Sequence, residues 1–217
     1  MRTPEKIICV GQNYGAHRDE MGGEEMAVPT LFGKFAATMI ADGEPIVLPP
    51  ESTHVDAEAE LAVVIGKPAR RVSRERALEF VAGYVCANDV SARDLQYGDG
   101  QWFRGKNFAT FCPVGPDEPV PVSELADGSG LRVLQRLNGN VLQDALTDDL
   151  IFDVPYLVAF ASTLFTLEPG DLILTGTPSG VGYARDPRIS LQDGDVVEVL
   201  VEGIASLRNP VVAEVGV

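Results

Sequence analysis

Two glutamates, Glu58 and Glu60, have a spacing that suits metal or acid–base chemistry. They stand two residues apart in an apolar run, so in a strand both side chains project from the same face. Buried carboxylates of like charge repel, and each needs protonation, an Arg or Lys partner or a metal ion. The pattern by itself favours the simpler alternative, a solvent-exposed edge strand.

Asp89 is a third candidate carboxylate. It ends the apolar run of residues 84–90 and precedes Ser91 and Arg93. Three carboxylates would supply the hard oxygen ligands that Mg²⁺ and Mn²⁺ prefer. Zinc is less expected, because the chain has two histidines and no cysteine cluster. Spacing alone leaves open whether Asp89 meets Glu58 and Glu60.

His17 lies three residues before Glu20, so one helical turn would place the imidazole beside the carboxylate. The glutamate could then hold one tautomer of the ring and stabilise its protonated form, as a general base requires. Spacing alone favours a solvent-exposed histidine instead. The surrounding residues 12–28 are polar and glycine-containing, which predicts a mobile lid.

A glycine-rich turn occupies residues 176–182. It lacks the P-loop lysine and the GxGxxG spacing, so nucleotide binding is not indicated. Its backbone N–H groups and the Thr177 hydroxyl could still approach an anionic ligand. A purely structural turn fits the pattern equally well.

The elements that must position these residues are mostly strands. Apolar or alternating runs predict strands over residues 6–10, 57–65, 131–137, 141–143, 172–175 and 196–201, and Asn138-Gly139 is a hairpin signal. Two helices are predicted, one capped by Ser73 and running to about Val81, the other starting near Asp153 with Pro155 in its first turn. No linker is evident, which favours one β-dominated domain over residues 1–217.

Composition narrows the function classes. The 217 residues include 32 acidic and 17 basic side chains, a formal charge of -15, which opposes binding to nucleic acid or an anionic membrane. No apolar run has the length of a membrane span, and the first residues lack a signal-peptide core, so we expect a cytoplasmic protein. The three cysteines lack metal-site spacing and are expected to be buried thiols.

Taken together, the motifs resemble those of the fumarylacetoacetate hydrolase family, particularly its short, single-domain bacterial members and acylpyruvases. They occur in the family's order from near residue 6 to near residue 210. The matching segments are residues 10–14 with His17 and Glu20, 32–34, 58–61, 88–94, Lys106, 175–178 and 180–182.

The resemblance implies an α+β, β-dominated fold, a mixed β-roll of the family's C-terminal-domain type with few helices, usually in a homodimer. It implies an Mg²⁺ or Mn²⁺ ion held by Glu58, Glu60 and Asp89, which reverses the preference for an edge strand. It also implies that His17 and Glu20 belong to a lid that orders over ligand, and that Lys106 is an active-site lysine. Ligand-facing positions of relatives match Lys34, Arg93, Gln96 and Thr177.

The implied reaction is hydrolysis of a carbon–carbon bond in a small anionic 2,4-diketo acid, an acylpyruvate or fumarylpyruvate. His17, oriented by Glu20, would activate water, and the metal and Lys106 would stabilise the developing charge. One alternative is decarboxylation or isomerisation of oxaloacetate or of a hydroxyphenylacetate-pathway intermediate through the same enolate. Another is a non-catalytic, metal-stabilised binding domain.

Two positions depart from the family pattern. Some acylpyruvase relatives carry Arg where Gln12 stands and Lys where Ser179 stands. A direct charge contact to the distal end of the substrate is therefore in doubt, and substrate identity is the least determined part of the prediction.

Overall fold

The computed structural model describes residues 3–215. Its strands are β1 (Ile7–Gly11), β2 (Thr30–Lys34), β3 (Met39–Ile40), β4 (Ile46–Leu48), β5 (Val55–Asp56), β6 (Ala59–Ile65), β7 (Val81–Asn88), β8 (Ser91–Ala92), β9 (Cys112–Pro121), β10 (Arg132–Leu137), β11 (Asn140–Leu146), β12 (Leu172–Leu174), β13 (Val196–Val201) and β14 (Ala205–Ala213). The α-helices are α1 (Gly15–Glu20), α2 (Arg93–Gly98), α3 (Phe103–Lys106), α4 (Val122–Leu125) and α5 (Val154–Leu164). Short 3-10 helices cover Ala36–Thr38, Arg74–Phe80, Thr147–Asp149 and Gly182–Ala184.

The larger of the two main sheets is mixed and has seven strands. Its strand order is β2-β1-β12-β6-β7-β9-β3. Strand β6 is central, antiparallel to both β12 and β7. The continuous apolar sequence of β6 suits this position, because a central strand is covered on both faces.

A second sheet of five strands has the order β11-β10-β13-β14-β4. Asn138 and Gly139 join β10 to β11 with φ of 52° and 82°, the left-handed conformation that a tight hairpin turn requires. The predicted hairpin is therefore present. A two-stranded ribbon, β5-β8, completes the strand pairing in the described residues.

The main hydrophobic core joins the two sheets. Leu61 and Val63 of β6 belong to it together with Val199 and Leu207 of the smaller sheet. The alternating residues Ala62 and Val64 belong to a second, smaller cluster on the other face of β6. Strand alternation then puts Glu60 on the face of Ala62 and Val64, away from the main core.

The predicted fold class is confirmed: the structure is an α+β fold dominated by sheet, with few helices. Strand β6 begins at Ala59 rather than residue 57, because the Glu58 N–H donates to the side chain of Asn88 instead of joining the strand ladder. Among residues 3–215, no helix is long and apolar enough to cross a membrane.

The two predicted helices differ in outcome. Helix α5 begins after Asp153, whose carboxylate accepts the Tyr156 N–H at 2.9 Å, so this prediction is confirmed. The segment after Ser73 is a 3-10 helix over Arg74–Phe80, and the Ser73 side chain makes no capping hydrogen bond. The prediction of an α-helix there is wrong, because the Arg76 N–H donates to the Ser73 carbonyl three residues back, which is the 3-10 pattern.

Candidate active site

Three carboxylates meet at one end of β6. The pairing of Ala59 with Asn88 places Glu58 beside Asp89, and the Asp89 N–H donates to the Glu58 carbonyl at 2.9 Å. One carboxylate oxygen each from Glu58, Glu60 and Asp89 lies within 4.8 Å of the others. All three residues are buried, with exposures of 5%, 1% and 0%. The preference for a solvent-exposed edge strand is therefore wrong, because β6 has neighbours on both sides.

Buried cations surround this carboxylate triad, defined as Glu58, Glu60 and Asp89. Lys106 Nζ lies 2.6 Å from Glu58 Oε2 and 2.7 Å from Asp89 Oδ2. An Arg93 nitrogen lies 2.7 Å from Glu58 Oε1, and Lys34 Nζ lies 2.8 Å from Asp89 Oδ1. The structure thus brings together six residues that the sequence resemblance placed at the site.

The charges around each carboxylate set its pKa. Burial by itself raises the pKa of Glu58, but the charges of Arg93 and Lys106 outweigh burial and hold this pKa well below its usual range. Burial and the negative charges of Asp89 and Glu58 raise the pKa of Glu60 well above its usual range. In the described part of the chain Glu60 has no salt-bridge partner, and its Oε2 accepts the Gly176 N–H at 2.7 Å.

Lys106 remains protonated at neutral pH. Burial alone lowers the pKa of its ammonium group, but the charges of Asp89 and Glu58 raise it above the ordinary value. Its role in this site is that of a fixed positive charge and hydrogen-bond donor, not a base.

His17 and Glu20 form the predicted pair. His17 is 4% exposed, and its Nδ1 lies 2.8 Å from Glu20 Oε1 within helix α1. The alternative of a solvent-exposed histidine is wrong, because the imidazole is buried and lines the same cavity as the triad. The Gly180 N–H donates to both Glu20 oxygens, at 3.0 and 3.1 Å. Mobility of residues 12–28 stays a prediction.

The other predicted ligand-facing residues have different surroundings. Gln96 accepts a hydrogen bond from Arg93 at 3.1 Å, and both line the cavity. Thr177 also lines it, but its hydroxyl is engaged with the Ala59 carbonyl and the Gln143 amide. Lys34 holds Asp89 and is not among the residues that line the cavity.

Asp56 and Trp102 are among the residues of the site that were missed from the sequence. Asp56 is buried, lies 2.9 Å from Arg93, and accepts the Gly182 and Tyr183 N–H groups. Its place two residues before Glu58 was a usable signal. Trp102 lines the cavity, and its position four residues before Lys106 would place both on one helical turn.

The donor chemistry fits a divalent cation. Three carboxylates without a soft ligand match the preference of Mg²⁺ or Mn²⁺, and a cation would relieve the repulsion that raises the pKa of Glu60. Glu58, Glu60 and Asp89 are thus the residues able to hold a metal ion.

Comparison with known proteins agrees with this geometry. Residues 6–212 match the fumarylacetoacetate (FAA) hydrolase C-terminal family. The chain belongs to this family. It is 44% identical over 212 residues to a mitochondrial oxaloacetate tautomerase of Xenopus laevis, covering 97% of this chain and 66% of the frog protein. The chain therefore spans about two thirds of that relative's length.

Solved structures of this family are also similar to the chain. A 2-hydroxyhepta-2,4-diene-1,7-dioate isomerase from Mycobacterium marinum superposes with a TM-score of 0.85 at 42% identity, covering 99% of this chain and 77% of the isomerase. A fumarylpyruvate hydrolase from Pseudomonas aeruginosa, in complex with Mn²⁺ and pyruvate, gives a TM-score of 0.87 at 32% identity, with 97% and 91% covered. Members of the family are thus enzymes that include hydrolases, isomerases and tautomerases.

Proposed function

We propose that this enzyme is a Mg²⁺- or Mn²⁺-dependent hydrolase that cleaves a carbon–carbon bond of acylpyruvate-type 2,4-diketo acids. The observation that carries the proposal is that the carboxylate triad and His17, which is hydrogen-bonded to Glu20, line one cavity. Glu58, Glu60 and Asp89 would hold the ion. When bound, such an ion supplies Lewis-acid polarisation of keto oxygens.

In this proposal His17 is the general base. Its Nδ1 is engaged with Glu20, so Nε2 is the atom that takes a proton from water. The water oxygen then attacks the distal carbonyl carbon, and the bond from that carbon to C3 breaks. Its electron pair passes into a pyruvate enolate, which the proton held by His17 converts to pyruvate. Protonated Lys106 stabilises the negative charge.

The charge of the buried cluster suits an anionic substrate. Four buried carboxylates, those of Asp56 and the triad, face the three buried cations Lys34, Arg93 and Lys106. With all four carboxylates ionised, a bound divalent ion would give this cluster a net charge of one positive, which attracts a carboxylate despite a chain charge of -15.

The test makes two measurements on a His17→Gln variant, of activity and of metal-dependent stability. Acetylpyruvate hydrolysis should fall by about 10²–10⁴-fold, the usual contribution of a general base. Metal-dependent thermal stabilisation should stay, since His17 is not one of the triad. Undiminished hydrolysis in a folded, metal-binding variant would remove His17 from the proposal.

A second candidate is tautomerisation or decarboxylation of oxaloacetate, favoured by the oxaloacetate tautomerases that are 42% and 44% identical to the chain. It uses the same enolate chemistry without an attacking water. Oxaloacetate turnover that exceeds acetylpyruvate hydrolysis and survives His17→Gln would favour it. Metal-dependent stability without turnover of any keto acid would indicate a binding domain instead. A homodimer and a cytoplasmic location stay predictions.

A further inference from the structure

Asp56 is a buried carboxylate to which the proposed reaction gives no role. It lies in β5, is 2% exposed, and is not one of the described residues that line the cavity. Its Oδ1 accepts the Ala57 and Gly182 N–H groups at 2.9 and 3.0 Å. Its Oδ2 accepts the Tyr183 N–H at 3.0 Å and two Arg93 N–H groups at 2.9 and 3.1 Å. Both oxygens must therefore be acceptors, which a carboxylate supplies and an amide does not.

Arg93 connects Asp56 to the carboxylate triad. Arg93 is 1% exposed, and its Nη2 lies 2.9 Å from Asp56 Oδ2 and 2.7 Å from Glu58 Oε1. Its other terminal nitrogen, Nη1, donates to Gln96 at 3.1 Å. The positive charge of Arg93 is thus shared between two buried carboxylates, one inside the triad and one outside it.

This sharing affects how well Glu58 can hold a divalent ion. Both Glu58 oxygens already contact cations, Oε1 that of Arg93 and Oε2 that of Lys106. A divalent ion must compete with these charges for the same oxygens, and it is repelled by them at short range. Asp56 offsets the Arg93 charge and fixes the orientation of the guanidinium through two N–H groups. It thereby weakens the competition at Glu58 Oε1.

Asp56 also fixes the turn that contains Gly182. A Cβ at Gly182 would lie 2.3 Å from the Ile189 carbonyl oxygen and 2.9 Å from Asp56 Oδ1, so the backbone of the turn packs directly on the carboxylate. The next residue, Tyr183, stacks on the ring of Tyr97, with centroids 5.4 Å apart, and Tyr97 lines the cavity. One side chain thus holds both a cation of the site and the turn beside it.

We infer that Asp56 is a positioning residue for metal binding, which keeps Glu58 available as a ligand by holding Arg93. This inference rests on the proposed function, which assigns the ion to the triad, and extends the assignment to a residue outside the triad. Replacing a residue that orients a metal ligand from behind typically weakens metal affinity by about 10–100-fold.

The test measures the affinity for Mn²⁺ by isothermal titration calorimetry, which needs no turnover. Asp56→Asn keeps the shape of the side chain but replaces one oxygen with an NH₂ group. That group must face N–H donors whichever way the amide is turned. The Kd of this variant for Mn²⁺ should be about 10–100 times the wild-type value.

Asp171→Asn is the matched control. Asp171 is also buried, pairs with Lys6 and accepts the backbone N–H groups of Lys6 and Glu168. It lies at the other end of β6, where its carbonyl accepts the Ile65 N–H. Asp171→Asn should lower the Tm without changing the Kd for Mn²⁺.

A double-variant cycle tests whether Asp56 acts through Arg93. In Arg93→Gln, Asp56 keeps its three backbone N–H partners, so both of its oxygens stay hydrogen-bonded. Adding Asp56→Asn to this variant should change the Kd for Mn²⁺ by no more than about threefold. A further loss of about tenfold would show that Asp56 acts independently of Arg93 and would overturn the inference. This comparison also holds if Asp56→Asn alone does not fold, because the double variant removes two opposite charges together.

Failure of the inference and failure of the proposed function give different results. An unchanged Kd in folded Asp56→Asn, or an equal loss of affinity in Asp171→Asn, would overturn the role of Asp56 alone. A wild-type protein that does not bind Mn²⁺ or Mg²⁺ would overturn the metal-dependent function and the inference together. The expected Kd changes without acetylpyruvate turnover would overturn the hydrolase and leave the role of Asp56 standing.

Discussion

At the scale of single residues, Glu60 is where metal binding is best tested. Its two companions already contact buried cations, but Glu60 has only the Gly176 N–H in the described chain. Burial and the charges of Asp89 and Glu58 raise its pKa, which shows how unfavourable its ionised form is without a cation. Removing this charge should therefore affect metal binding more than intrinsic stability.

We expect Mn²⁺ at about 100 times its Kd to stabilise the wild-type protein by about 2.7 kcal/mol. For a chain of this size that raises the Tm by roughly 5–10 °C. In Glu60→Gln the rise should disappear, while the metal-free variant should unfold no lower than the metal-free wild type. Differential scanning fluorimetry with and without Mn²⁺ measures both quantities.

The matched control is Glu51→Gln, which removes the same charge at an exposed position. It should keep the full Mn²⁺-dependent rise in Tm. An undiminished rise in Glu60→Gln would contradict the assignment of Glu60 as a ligand.

At the scale of elements, the close contact of α2 and α3 positions the cations. Helix α2 begins at Arg93 and α3 ends at Lys106. Gly105 makes this contact possible, because a Cβ there would lie 2.7 Å from the Ala92 carbonyl oxygen and from the Gln96 nitrogen. A side chain at this position must separate the two helices.

We predict that Gly105→Ala shifts α3 and moves Lys106 away from the triad. Hydrolysis of acetylpyruvate should fall by roughly 10²-fold, the cost of about 1 Å of misplacement at a reacting centre. Overpacking should lower the free energy of unfolding by about 1–3 kcal/mol. Steady-state kinetics and urea denaturation test the two effects.

Gly98→Ala is the control, since a Cβ at Gly98 has no neighbour within 4 Å. It should retain wild-type kinetics. Equal activity of the two alanine variants would show that the α2–α3 contact does not position Lys106.

At the scale of the whole molecule, burial on both faces of the large sheet protects the thiols, Cys86 in the main core and Cys9 and Cys112 in the smaller cluster. Cys9, Cys86 and Cys112 are all buried and unpaired. Burial raises the pKa of Cys86 from 9.0 to about 12, outweighing the hydrogen bonds that lower it. Reaction with a disulfide reagent needs a thiolate and access, so both conditions fail while the protein is folded.

We predict that Cys86 contributes stability that declines in alkali. Its folded-state pKa is higher than the unfolded one, so the contribution is complete below pH 9 and is lost between pH 9 and about 12. The loss is about 1.4 kcal/mol per pH unit at most, because unfolding then releases a proton. Because burial also raises the pKa values of Cys9 and Cys112, urea denaturation between pH 9 and 10 should show a slope in the wild type that exceeds the slope in Cys86→Ala by up to this amount.

Thiol reactivity gives a second test of the burial of the three cysteines. At neutral pH the folded protein should react with no equivalents of 5,5′-dithiobis(2-nitrobenzoate), and in guanidinium chloride with three. Rapid reaction of the native chain, or equal pH slopes in the two proteins, would contradict the burial argument.

The sequence by itself determined the features that depend on near neighbours. The cap of α5 by Asp153, the Asn138-Gly139 hairpin and the contact of His17 with Glu20 each lie within a few residues. Such contacts follow from the geometry of a single turn, so the spacing of the residues along the sequence is enough to predict them. The helix predicted after Ser73 failed because tertiary constraints outweighed its periodicity.

Only the tertiary structure decided whether the carboxylates are buried and what they contact. The sequence pattern favoured an edge strand, but β6 lies between β12 and β7. Register then brings Asp89 to Glu58, and folding brings Lys106 to both across 17 and 48 residues. Charge pairing over such separations depends on strand order and register, which local propensity does not fix. For the same reason only the tertiary structure shows that Trp102 belongs to the site, where its indole lies against Gly11 of β1.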